Sequence, residues 1–186
     1  CCGARVVISP GLAGGSLRVK AGEQDMPVIA LEGGGAVRFD DGVIGSGVKG
    51  VIRVMRELEM IPAKKGPRAP RKRSETAANS QWVRADIDGI MRPVARLGQK
   101  VRKGQRLAMV ADPFGESETA VVSPCSGIVI CVNNLPLVNE GEAIYHVARF
   151  DELSEAEKAM DYFRSSYEGD VGDDVVPVHP WDDRQK

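Results

Sequence analysis

Histidine is nearly absent from this 186-residue chain: His146 and His179 are the only two, and they lie far apart. His146 sits among Ile144, Tyr145 and Val147, where a packed strand residue is expected, and His179 falls in an acidic tail with prolines. That scarcity argues against a metal site built from this chain alone. The four cysteines, Cys1, Cys2, Cys125 and Cys131, include no C-x-x-C pair and too few bridges for a disulfide framework. They are expected to be small buried hydrophobes in a reducing cytoplasm. No apolar run approaches the ~18 residues that a membrane-crossing helix needs, and no charged-then-apolar signal peptide opens the chain. The first residue is Cys1 rather than methionine, which suggests a fragment. Charge of one sign is also lacking. Lys+Arg is 25 against 26 Asp+Glu, a net charge of −1, which excludes a dedicated nucleic-acid binder.

What remains is ordinary globular material, 42 % hydrophobic and 27 % charged, enough for one domain or two small ones. Composition divides it into four regions. Residues 1–62 mix short apolar runs, glycines and one helical pattern. Residues 63–80 carry six basic side chains, two prolines and almost nothing apolar, the composition of an exposed linker. The basic run has no interleaved aromatics on which bases could stack, so it does not point to nucleic acid. Residues 81–150 alternate short β-rich runs with Gly and Pro. Residues 151–186 hold 11 Asp+Glu against 4 Lys+Arg, and about the last 15 are expected to be disordered.

In the first region, Met26-Pro27-Val28-Ile29-Ala30-Leu31 is a short apolar run without alternation, which predicts a strand buried on both faces. Val6-Val7-Ile8 predicts a second. Ser16 is placed to cap a short helix through Lys20, with Gly22 helping to end it. Asp40 or Asp41 is placed to cap a helix whose apolar positions, Val43, Ile44, Val48, Val51, Ile52, Met55 and Leu58, repeat on one face; Pro62 would stop it. Strand, helix, strand, helix is an α/β arrangement.

The third region repeats itself. The stretch from Val83 to Gly89-Ile90 echoes that from Val122 to Gly127-Ile128, and Val101-Arg102-Lys103-Gly104 echoes Val138-Asn139-Glu140-Gly141. Two such halves predict a small interlocked β sandwich or barrel. Lipoyl and biotinyl carrier domains are built this way, but they attach their cofactor to a lysine on the hairpin between the halves. No lysine occurs from Gly104 to Ser123, which excludes a carrier role.

Glu32 is the first candidate for chemistry. It closes the 26–31 run and opens Gly33-Gly34-Gly35. In open α/β sheets ligands bind beyond the carboxyl ends of the strands. Glycines allow close approach to the backbone, and a carboxylate there can act as general base toward water. The competing reading is a capping or salt-bridged strand-end glutamate. Arg18, 14 residues earlier, carries the side chain best shaped to grip a carboxylate through two parallel hydrogen bonds.

Three stretches together, residues 15–61, 83–116 and 121–148, resemble the succinylglutamate desuccinylase/aspartoacylase family of zinc hydrolases. Leu31-Glu32-Gly33-Gly34 and Asp112-Pro113-Phe114-Gly115 are the most telling pieces. The resemblance implies an α/β fold class: the C-terminal part of a carboxypeptidase-like α/β domain over 1–62, then a small all-β barrel or sandwich domain. It implies Glu32 as the general base of a deacylase, Arg18 as the grip on a substrate carboxylate, and zinc as cofactor. The partner would be a small N-acyl amino acid or related amide. The family's zinc ligands, a His-x-x-Glu pair and a later histidine, precede its catalytic glutamate. No histidine precedes Glu32, so those ligands are expected upstream of this chain, and no metal ligand is assigned within it. The alternative is a non-catalytic remnant serving assembly or partner binding. A helix is predicted from Ser154, with Glu157 completing a capping box and Ala156, Met160, Phe163 and Tyr167 on one face. It would pack on a domain surface or on a second copy, making a homo-oligomer a further expectation.

Overall fold

The computed structural model describes residues 6–8, 15–35, 39–63 and 74–150. The basic run 64–73, the Ser154 helix, the acidic tail with His179, and Cys1 and Cys2 lie outside the described residues. The chain is mostly sheet with two helices, and it divides into two compact units. One takes in described residues 31–35 and 39–63; the other takes in 6–8, 15–30 and 74–150.

The helices form where local rules place them. Helix α1 (Leu17–Gly22) is capped by Ser16, whose Oγ accepts from the Val19 N–H at 3.3 Å. Helix α2 (Asp41–Glu57) is capped by Asp40, whose carboxylate accepts from the Val43 N–H at 3.1 Å. Neither end waits for the expected glycine or proline. Asp25 and Glu59 take left-handed conformations, φ 54° and 57°, and the following amides of Met26 and Met60 reach back to the Ala21 and Met55 carbonyls. This is the hydrogen-bond pattern that glycine usually serves at a helix C-terminus. The apolar stripe of α2 has the expected period, yet Gly50 is the helix's one buried residue and Val51 is 59 % exposed.

Residues 26–31 correct the sequence reading. They form no strand and are exposed throughout; Ile29 is 66 % and Leu31 52 % accessible. A strand buried on both faces needs a strand on either side, and this run pairs with none among the described residues. Val6–Ile8 does form a strand, β1, but it lies parallel to β2 (Glu75–Ala77). β2 and the start of β3 fall inside the stretch read as linker. The strand escapes notice because its main contribution to the core is one small side chain, Ala77, at 3 % exposure.

The larger unit is dominated by two four-stranded sheets. The first has the order β3-β10-β8-β5, where β3 is Asn79–Arg84, β10 Ala143–Arg149, β8 Gly127–Val132 and β5 Lys100–Val101. The second has the order β7-β6-β4-β9, where β7 is Glu118–Val122, β6 Arg106–Ala111, β4 Gly89–Pro93 and β9 Leu137–Val138. Exchanging the repeats turns one order into the other, so each half contributes two strands to each sheet. The repeat extends to single hydrogen bonds. Gly104 and Gly141 both have φ +80°. Gln105 N–H donates to the Arg102 carbonyl as Glu142 N–H does to Asn139, each at 3.0 Å. The side chains of Gln105 and Glu142 then accept from the Arg102 and Asn139 amides.

Glycine is obligatory at the two strand starts. A Cβ on Gly89 would lie 2.3 Å from the Ala111 carbonyl oxygen, and one on Gly127 would lie 2.2 Å from that of Ala148. Between the sheets lies one core, with Val101, Leu107, Val110, Val121, Val129 and Val147 all nearly inaccessible. Tyr145 is wholly buried in it, its hydroxyl within 3.0 Å of the Ala95 and 2.8 Å of the Leu107 carbonyl oxygens. Burial pushes that hydroxyl's pKa from 10.0 up to about 12.

Gly89→Ala and Gly127→Ala should each destabilise the protein by about 1–3 kcal/mol, since a backbone carbonyl must move; denaturant titration checks this. Tyr145→Phe should cost about 1–2 kcal/mol by leaving a buried carbonyl short of its donor. Because the folded hydroxyl holds its proton more tightly than the unfolded one, stability should be flat below pH 10 and fall between pH 10 and about 12. The Phe variant should lose that alkaline limb, as read from melting temperature against pH.

Candidate functional site

Glu32 is exposed, and neither a hydrogen bond nor an ion pair ties its carboxylate among the described residues. The glycines after it serve the local packing. A Cβ on Gly33 would come within 2.9 Å of Val43 Cγ1, and Gly34 has φ +83°. The Gly33–Gly34 backbone thus lies against the first turn of α2. Beside it is a shallow depression of about 130 Å³ lined by Gly33, Gly34, Phe39, Asp40 and Val43. Asp40 is committed there to capping the helix.

Arg18 stands one residue inside α1, half-buried, and makes no salt bridge among the described residues. It belongs to the larger unit and Glu32 to the smaller, so each is described within its own. His146 lies on β10, half-buried, its ring stacked on Trp82 of β3 with centroids 4.0 Å apart and planes 13° from parallel. In the ladder it faces Cys131 of β8. Cys125 is buried, and burial raises its thiol pKa, the reverse of what a nucleophile needs. Among the described residues no group of three or more His, Cys, Asp or Glu side chains is placed to hold a metal, so these residues do not by themselves fit a zinc centre. No helix among them is long and apolar enough to cross a membrane.

A second carboxylate at a glycine-containing turn is organised quite differently. Asp112 opens the β6–β7 hairpin turn. Its oxygens accept from the amides of Phe114 (2.7 Å), Glu116 (3.3 Å) and Ser117, and from the Ser117 hydroxyl (2.7 Å). These bonds, the Ser117 hydroxyl foremost, hold its pKa at about 2 instead of 3.8. Asp112 is thus a turn organiser and a poor proton acceptor. The Asp-Pro-x-Gly signature that marks such turns was available in the sequence as a signal for this role. Beside it Arg92 donates to Glu118 at 2.6 Å.

The arrangement of strands and helices is shared with solved structures. The product-bound ectoine utilization protein EutE (DoeB) from Ruegeria pomeroyi matches with a TM-score of 0.71 and 18 % identity, over 80 % of this chain and 46 % of that one. A succinylglutamate desuccinylase from Silicibacter sp. TM1040 matches with a TM-score of 0.68 and 17 % identity, over the same shares. A succinylglutamate desuccinylase/aspartoacylase from Rhodobacter sphaeroides matches at 0.52 and 20 %, over 62 % of this chain and 37 % of that one. The chain therefore has the fold of part of these family proteins and spans less than half the length of each. No family model and no curated protein matches its sequence.

The Asp112 turn should be acid-sensitive. Because its folded pKa is depressed, the turn's stabilisation should be complete above pH 3.8 and be lost as pH falls toward about 2. Amide exchange at Phe114 and Ser117 should accelerate over that window in the native protein, whereas Asp112→Asn should exchange fast at every pH.

Proposed function

We propose that this chain is the C-terminal portion of a zinc-dependent deacylase that hydrolyses the linear amide of an N-acyl amino acid or a similar small substrate, with Glu32 as general base. The observation that carries the reading is the fold likeness to EutE and to the succinylglutamate desuccinylase over 80 % of the chain. In this reading residues 1–62 complete a carboxypeptidase-like α/β domain, 63–80 link it to the all-β domain of 81–150, and 151–186 form a helix and tail. The enzyme works in the cytoplasm.

Glu32 suits the role by chemistry. An exposed carboxylate at a turn without side chains on its next residues can take a proton from an attacking water and return it to the departing amine. Arg18 would hold the substrate's carboxylate through paired N–H donors. Zinc belongs to the proposal through the family resemblance. Its ligands lie outside the described residues, and no step of the reaction is built on it.

The test uses the natural protein that contains this chain. Glu32→Gln should lower kcat by about 10²–10⁴-fold while zinc content, measured by atomic absorption, stays that of the parent. Arg18→Lys should chiefly raise KM for carboxylate-bearing amides. Undiminished turnover by Glu32→Gln overturns the assignment of the base.

A further inference from the structure

The two sheets share a topology, but their outward faces differ. On the first sheet Ile128 and Ala148 are 1 % and 0 % exposed, sealed in a second small core with Ala77 of β2 and Phe150. Their counterparts in the repeat are Ile90 and Ala111, which face each other across β4 and β6 as Ile128 and Ala148 do across β8 and β10. Here the face is open. Ile90 is 47 % exposed, and Leu137, its partner on β9, is 68 %. A depression of about 410 Å³ occupies the site, lined by Ile90, Arg92, Met109 and Ala111 and flanked by Phe114 of the Asp112 turn.

The open face also carries charge lengthwise. At the end beside the hairpin turn stand Asp112, Glu116 and Glu118; at the opposite end of β6 stands Arg106, across from Val122. The two ends are about 20 Å apart at the ~3.3 Å rise of a strand residue. A strip that is apolar in the middle, acidic at one end and basic at the other complements itself under a two-fold axis normal to the sheet. That rotation lays Arg106 of one copy over the acidic end of the other and Ile90 and Leu137 against each other.

We propose that the outward face of the β7-β6-β4-β9 sheet is a self-association surface whose occupant is a second copy of this chain. The second copy fills the place that Ala77 and Phe150 fill on the sister sheet. The inference is independent of the deacylase reading.

Analytical ultracentrifugation of the 186-residue chain across a concentration series tests it. The native chain should dimerise, more weakly as salt rises. Ile90→Asp and Leu137→Asp should raise the dimer Kd at least tenfold with circular dichroism unchanged. Arg106→Glu should raise it by a similar factor, and the double variant Arg106→Glu/Glu116→Arg should restore it. Arg106 and Glu116 are exposed, so the charge pair decides the matter even where an aspartate on the sheet prevents folding. A native chain that stays monomeric, with or without solvent protection of Ile90 by another part of the same chain, overturns the proposal. So does a dimer indifferent to Arg106→Glu, Ile90→Asp and Leu137→Asp.

Discussion

The larger unit is organised by the contact between the backbone of Gly89 and the Ala111 carbonyl, and by its double between Gly127 and Ala148. Each brings the start of one strand against the neighbouring strand more closely than any side chain permits. The approach brings β4 beside β6 and β8 beside β10 in the register that turns Met91, Val110, Val129 and Val147 inward. Once the inner positions are fixed, the core between the sheets closes with little choice left. Tyr145 then crosses it and meets the carbonyls of Ala95 and Leu107, tying the β10 strand of one sheet to the segment that leads into and through β6 of the other.

Much of this was legible because it rests on local rules with fixed residue identities. A close approach demands glycine, and a left-handed turn favours it. The spacing of Gly89 with Gly127, and of Gly104 with Gly141, therefore reveals the repeat without knowledge of any contact. Ser16 and Asp40 announced their helices by the same kind of logic. What stayed hidden depends on neighbours. The 26–31 run has the composition of a buried strand, but burial is a property of what lies alongside it, and nothing among the described residues does. β2 is hidden for the opposite reason, since a strand that inserts only Ala77 carries almost no hydrophobic signal. The helix ends at Asp25 and Glu59 were missed because a satisfied hydrogen-bond pattern can outweigh the modest strain of a non-glycine residue in the left-handed region.

The candidate site was legible as residues and not as geometry. Glu32 and Asp112 both precede glycine-containing turns, yet their surroundings separate them. Asp112 has drawn three amides and a hydroxyl onto its oxygens and is held strongly acidic. Glu32 remains accessible to water. Sequence shows that a carboxylate is present; the donors around it decide whether it organises a turn or remains able to accept a proton. The likeness to desuccinylase structures supplies the scaffold into which such a carboxylate fits, and chemistry at that position is a separate matter from architecture.

The position of β10 has a consequence for biosynthesis. It is the final strand described, yet it is interior to its sheet, hydrogen-bonded to β3 on one side and β8 on the other. During vectorial synthesis β3 must wait, its edge unsatisfied, for more than half of the following sandwich to be translated before its permanent neighbour leaves the ribosome. Nascent chains of this protein therefore hold an adhesive strand edge for most of the sandwich's translation. A pause shortly before residue 143 would be the costliest place for elongation to stall.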